Sequence, residues 1–357
     1  MSEQPINEEK AEAFANQLLE VLNHGSLTLM ISIGHRTGLF DAMAKLGEPA
    51  TSEELATAAG LNERYVREWA STMLIGGIVT YDPESKKFTL PAEHAAFLTR
   101  DSVPNNMAAF AQYIPLLGNV EEDIIECFKN GGGVPYSKFT RFQTIMAEDS
   151  AQTVLPALID VILPLAPGLP DRLSAGIDVL DVGCGSGRAL NLMARTYPNS
   201  RFVGYDMSEE GVAAGTAEAA KHGTTNIRFE ARDATDLGAA NSFDLVTSFD
   251  AIHDQVYPDK VLAQIDSVLR PDGVYLMQDI RSSSNIHENV DHPLGTLLYT
   301  LSCMHCMTVS LSGGGPGLGT MWGDQLAKKM LKAAGFTNIA THQLEHDFQN
   351  NYYVCTR

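Results

Sequence analysis

Two short stretches hold the residue types best suited to chemistry. In SFDAIHDQVYPDK (248–260), His253 and Asp254 stand side by side. An imidazole titrates near neutral pH and can accept a proton there. The plainer alternative is that His253 only caps a loop. In DVLDVGCGSGRALNLM (178–193), Gly183, Gly185 and Gly187 alternate directly after an apolar run, with Asp181 two residues ahead of the first. Such glycines let a backbone turn sharply into a helix and approach a ligand closely. The spacing is not that of a dinucleotide fingerprint, G-x-G-x-x-G/A. Counting from Gly183 the sixth position is Arg188, and from Gly185 it is Leu190.

These residues need a scaffold, and the pattern around them supplies one. From residue 176 apolar strands alternate with amphipathic helices: IDVLDVG, then GRALNLMARTYP; RFVGYD, then EEGVAAGTAEAAKHG; IRFEARD; FDLVTSFD, then PDKVLAQIDSVLRPDG; and VYLMQDI. Such βαβ alternation predicts a parallel sheet covered by helices on both faces. Ligands of such sheets sit at the carboxyl ends of the strands. Asp206 ends the second strand, 19 residues after Gly187, and Asp233–Ala234 ends the third. The last 22 residues predict a strand, a turn at 349–351 and a returning strand.

The first half reads differently. Residues 8–23 and 27–46 predict two amphipathic helices. Thr51 and Glu54 form a capping box ahead of a short helix that stops near Gly60. A second helix places Tyr65, Val66, Trp69, Met73 and Leu74 on one face and stops at Gly76–Gly77. A hairpin around residues 83–86 follows. Helix, turn, helix and hairpin make a winged-helix pattern. A DNA-reading helix wants a positive face, yet Arg64 and Arg67 are matched here by Glu63 and Glu68. Residues 1–100 hold 8 Lys/Arg against 14 Asp/Glu. The whole chain, 357 residues with a formal charge of −19, argues against phosphate-backbone binding.

No 18-residue apolar run and no signal peptide are seen, and five scattered cysteines suit reduced thiols, so a cytoplasmic protein without a membrane partner is expected. Three regions are expected: 1–100, a helical connector over 101–170, and 171–357 with an insert at 281–323. That insert combines Tyr299, Met304, Met307, Met321 and Trp322 with Gly313–Gly315. Soft apolar side chains and glycine hinges suit a substrate pocket with its lid; a core helix with a loop is the equal alternative. Cys303, His305 and Cys306 have metal-like spacing, but no further ligands stand nearby, so no metal is expected.

Asp181-x-Gly183-x-Gly185-x-Gly187, with the acids at 206 and 233, resembles motif I and its companions in class I S-adenosylmethionine (SAM)-dependent methyltransferases. With the winged-helix pattern in front, the chain resembles the small-molecule O-methyltransferases. That resemblance implies a Rossmann-like seven-stranded α/β sheet ending in an antiparallel hairpin, behind a mostly helical winged-helix domain that dimerises and covers the substrate. It implies SAM held by Asp181, Gly183, Cys184, Gly185, Gly187, Asp206, Met207, Asp233, Ala234 and Phe249. It implies an enzyme that methylates a hydroxyl or thiol of a small molecule by in-line displacement, with His253 as general base beside Asp254. The family's Trp after His-Asp is Gln255 here, which weakens any transfer of phenol specificity. Tyr136, Tyr299, His305, Met307 and Trp322 are the candidate substrate pocket. The competing reading is a SAM-responsive winged-helix regulator without catalysis.

Overall fold

The computed structural model describes residues 6–357. Its chain divides into two compact units, one ending at Pro115 and one running Leu116–Arg357.

In the first unit a single helix, Glu8–Thr37, stands where the sequence predicts two. Gly25 is absorbed within it. The break falls instead at Gly38, whose left-handed φ of 73° ends one helix and starts the next, Leu39–Leu46. The capping box forms as expected: Thr51 Oγ1 accepts from Glu54 N–H at 3.2 Å and Glu54 accepts from Thr51 N–H at 2.8 Å. Helices Ser52–Ala59 and Glu63–Ile75 precede a hairpin of β1 (Thr80–Asp82) and β2 (Lys87–Thr89). Trp69 is fully buried against Phe40 and donates its indole N–H to Met30 O at 2.9 Å. On the outer surface of the second helix the arginines are neutralised by ion pairs, Arg67 with Glu63 at 2.9 Å and Arg64 with Glu68.

The second unit is built on seven strands: β3 (Asp178–Val182), β4 (Arg201–Asp206), β5 (Ile227–Ala231), β6 (Phe243–Phe249), β7 (Leu269–Ile280), β8 (Asn338–Leu344) and β9 (Asp347–Thr356). Their order is β5-β4-β3-β6-β7-β9-β8. The first five are parallel, and β9 runs antiparallel between β7 and β8. Side chains alternate between two apolar layers, as a strand's period of two requires. Val179, Phe202, Leu245 and Leu276 enter one layer; Leu180, Val203, Val246 and Tyr275 enter the other. The hairpin turn between β8 and β9 falls at residues 345–346, not at 349–351, which lie inside β9. Helix Pro258–Val268 is shorter than expected, because its last residues already belong to β7. The chain's order reverses at β3, between β4 and β6. That is where a crevice opens at the strand ends.

Candidate active site

The glycine turn folds as its composition demands. Gly183, Gly185 and Gly187 have φ of 72°, 52° and 66°, conformations that cost an L side chain strain. Added methyls would also collide: at Gly183 with Ala251 Cβ, 2.5 Å away, and at Gly187 with the Phe229 ring, 2.3 Å away. Backbone N–H groups of Gly183 and Cys184 both reach Tyr205 O, at 2.8 and 3.1 Å, tying the turn to β4. Asp206, at the end of β4, accepts from Gly185 N–H and Ser208 N–H at 2.8 Å each.

Beside this turn lies a cavity of about 490 Å³. Of the sequence candidates, Asp181, Gly183, Cys184, Gly185, Asp206, Met207, Ala234, Phe249, Asp254 and Tyr136 line it. Others do not. Gly187 packs against Phe229 beneath the turn. Asp233 is exposed and turns back on Thr235, accepting from its N–H and Oγ1 at 2.8 Å. Tyr299 accepts from Asn289 at 3.1 Å, Met307 packs on Gly317 and Gly319, and Trp322 is buried in the core; none of the three reaches the cavity. His305, fully buried, stacks on Phe142 with centroids 3.8 Å apart, behind the wall that Tyr136 and Phe142 present.

The candidate catalytic pair divides. Asp254 lines the cavity, whereas His253 is 4% exposed and sits behind it. His253 Nδ1 lies 2.8 Å from Asp279 Oδ1, and that same oxygen accepts from Trp322 Nε1 at 3.0 Å. Burial opposes a charge on His253, but Asp279 and the Cys306 thiol outweigh it and hold the imidazole well above its usual range. Burial, only partly offset by His253, lifts Asp254 to about 6. Burial lifts Asp181 to about 7 despite a 2.7 Å hydrogen bond from Thr247. His305 goes the other way: burial, aided by His253, lowers it to about 3.

Several lining residues escape sequence reasoning. Gln143, Met146 and Ser150 come from helix Phe142–Thr153, in the connector that carried no motif. Gln143 donates to Tyr136 Oη at 2.9 Å and its Oε1 lies over Gly185, so the two close one side of the turn. Asp250 and Asp279, ending adjacent strands, are ordinary strand-end acids in one dimension. Only the register of β6 beside β7 brings them together.

Residues 173–335 match the family described as methyltransferase domain, and residues 25–100 the Rv2258c-like winged HTH domain. The two matches follow one another along the chain, the winged HTH model first and the methyltransferase model second. Nocamycin O-methyltransferase of Saccharothrix syringae is 37% identical over 121 residues, covering 32% of this chain and 42% of that protein. The fatty-acid O-methyltransferase of Mycolicibacterium smegmatis is 33% identical over 116 residues, covering 32% and 40%. The chain thus spans about two fifths of the length of these curated relatives. Solved structures share the fold across nearly the whole chain. Human N-acetylserotonin methyltransferase in complex with SAM has a TM-score of 0.69 at 15% identity, covering 100% of this chain and 99% of that one. The mitomycin 7-O-methyltransferase MmcR has a TM-score of 0.70 at 14%, covering 98% and 100%.

The clamp on His253 is open to a direct check. Replacing Asp279 with Asn removes the carboxylate that holds the imidazole charged. The His253 pKa, followed by NMR of labelled histidine, is expected to fall by at least about one unit; an unchanged value would remove Asp279 from the account.

Proposed function

We propose that this chain transfers a methyl group from SAM to a hydroxyl or thiol of a small molecule. The observation that carries the reading is one continuous cavity joining the glycine turn to Asp254. Its volume is within the range of small-molecule sites. The residues present fit the cofactor: the turn leaves no Cβ in the way, and the carboxylates of Asp181 and Asp206 suit a ligand bearing ammonium and sulfonium charges. Asp206 stands at the strand end where an acid can bond ribose hydroxyls, and Ala234 and Phe249 supply apolar wall. Bound there, SAM supplies a methyl group made electrophilic by its sulfonium. The protein's own part is to orient the acceptor, exclude water and receive a proton.

Asp254 is the group placed to receive that proton, because it faces the cavity. His253, fixed by Asp279 and carrying positive charge, favours the ionised form of Asp254 from behind. This assigns to Asp254 the contact with the acceptor that the sequence reading gives to His253. A phenol, only about 0.1% ionised near neutral pH, needs such help far more than a thiol, which is already a few per cent thiolate. The names of the relatives, O-methyltransferases, favour oxygen over sulfur. The regulator reading gains nothing from the winged helix, whose arginines are paired with glutamates.

A homodimer is part of the proposal. Helix Glu8–Thr37 exposes Phe14, Leu18, Leu22, Leu29 and Ile33 along one stripe, an apolar face that a second copy would cover. Among the described residues no helix is long and apolar enough to cross a membrane.

Three measurements test the proposed activity and assembly. In an assay of S-adenosylhomocysteine (SAH) release with matched phenols and thiols, Asp254→Asn and His253→Ala are each expected to lower phenol turnover by about 10²–10⁴. Thiol turnover should fall much less; loss of neither would dismiss the pair. SAM affinity, measured calorimetrically, should weaken by roughly tenfold from pH 8 to pH 6, because protonating Asp181 below about 7 removes the charge that attracts the cofactor. Asp181→Asn should flatten that profile, and a pH-independent wild type would exclude Asp181 as a cofactor anchor. Finally, Leu18→Glu with Leu22→Glu should convert a dimer into a monomer by light scattering, and a wild type that is already monomeric would end the dimer proposal.

A further inference from the structure

The cavity is short of positive charge. Four aspartates line it, Asp181, Asp206, Asp250 and Asp254, against two arginines. Both guanidiniums are spent on the protein itself. Arg188 donates to Ala147 O at 2.9 Å, while Arg232 donates to Asp236 O at 2.6 Å and to Tyr205 Oη at 3.2 Å, over the Tyr205 ring. The cofactor reading uses Asp181 and Asp206, and the proton reading uses Asp254. Asp250 is left without a task.

Its setting is unusual for an acid. Asp250 directly follows β6 and takes a φ of 50°, a left-handed conformation that non-glycine residues hold only where surroundings enforce it. Gln278 Nε2 donates to its Oδ2 at 2.9 Å, which fixes the carboxyl, and Oδ1 is buried without any donor. Burial, with Asp279 and Asp149 adding to it, pushes the Asp250 carboxyl well above its usual range, and the nearby imidazole of His253 is already engaged with Asp279 at 2.8 Å. Asp279 Oδ2 is likewise buried with no donor. A buried acceptor that lacks a donor is costly, and a buried carboxylate without a counter-charge more so.

A cation supplies both, and it has two sources: a metal ion or an organic ammonium. Donor atoms of Asp250, His253 and Asp279 lie within 4.8 Å of one another, close enough to surround a metal. Two facts favour the ammonium. Of the three residues only Asp250 lines the cavity, and one ring nitrogen of His253, Nδ1, already faces Asp279.

Resting on the methyl-transfer reading, we infer that the acceptor carries a protonated amine that docks on Asp250, away from the hydroxyl or thiol being methylated. The same carboxylates turn away an acceptor that is itself a carboxylate. Asp250 is then the residue that sets acceptor charge.

Three phenols that differ only in the charge of a short side chain make the test: tyramine, tyrosol and 4-hydroxyphenylacetate. Each is titrated calorimetrically into the full chain saturated with SAH, in the presence of a chelator. Tyramine is expected to bind roughly tenfold or more tighter than tyrosol, and 4-hydroxyphenylacetate weakest of all. Asp250→Asn should erase the preference of tyramine over tyrosol, with its SAH titration reporting an intact fold. Equal binding of the three, tightest binding of the anion, or no binding of tyramine overturns the inference, and the wild-type ranking alone suffices to do so if the variant fails to fold. Mn²⁺ titrated alone, binding to the wild type and not to Asp250→Asn, with no tyramine preference, assigns the site to a metal and overturns it equally. Because binding is read without turnover, failure here is distinct from failure of the chain to methylate.

Discussion

One phenyl ring sets the geometry of the glycine turn. Phe229, on β5, fills the space where side chains would stand at Gly187, Gly204 and Gly215; added methyls there would come within 2.3, 2.6 and 3.0 Å of it. Gly211 continues the pattern, with its hypothetical Cβ 2.7 Å from Gly185 O. The glycine turn, strand β4 and helix Glu209–His222 therefore close on one another to backbone distance. Asp206 can reach Gly185 N–H only because that gap is so narrow. Interiors pack with little spare volume, so these absent side chains place the turn as firmly as any bond does.

What the sequence reveals of this arrangement follows from how local each feature is. The turn, the strand periodicity and the capping box are written in contiguous residues, and the sheet with its antiparallel last hairpin follows from their order. The continuity of helix Glu8–Thr37 through Gly25 is not legible, because one glycine costs only about 1 kcal/mol in a helix and so does not by itself mark a break. The turn at 345–346 lacks the glycine or proline that would mark it; the three polar residues Gln349–Asn351 merely resemble one. At the candidate site the split between His253 and Asp254 needed three dimensions. Adjacent residues on a loop can face opposite ways, and only the positions of Asp279 and Trp322, 26 and 69 residues after His253, show which way the imidazole points. Asp250 and Gln143 were invisible for the same reason: each gains meaning from a partner on another element.

The two sides of the cavity are governed by different forces. Toward the glycine turn, backbone N–H groups meet carboxylates, and position is fixed by short hydrogen bonds. Toward helix Phe142–Thr153 the wall is aromatic and apolar, with Tyr136, Phe142, Met146 and Val154. Burial in the cavity raises the carboxyls of Asp181, Asp206, Asp250 and Asp254 above their usual range and makes the ionised forms expensive. The protein thus holds, beside the glycine turn, carboxyls whose ionisation a cationic ligand would ease. Affinity for such a ligand is the release of that stored cost.

His305 gives the aromatic wall a property of its own. It stacks on Phe142, meets Phe139 and Tyr136 edge-on, and loses its proton affinity to burial, titrating only near 3. Loop residue Gly133 lies against Thr308 O, and Val134 N–H donates to Thr308 Oγ1 at 2.8 Å, so the segment leading to Tyr136 is riveted to the helix that follows His305. A histidine at such a junction would ordinarily make the fit of the wall respond to mild acid. Here it stays uncharged across the whole physiological span. Acidity can therefore change how strongly this cavity attracts charge without charging the histidine behind its aromatic wall, which separates the tuning of affinity from that contact.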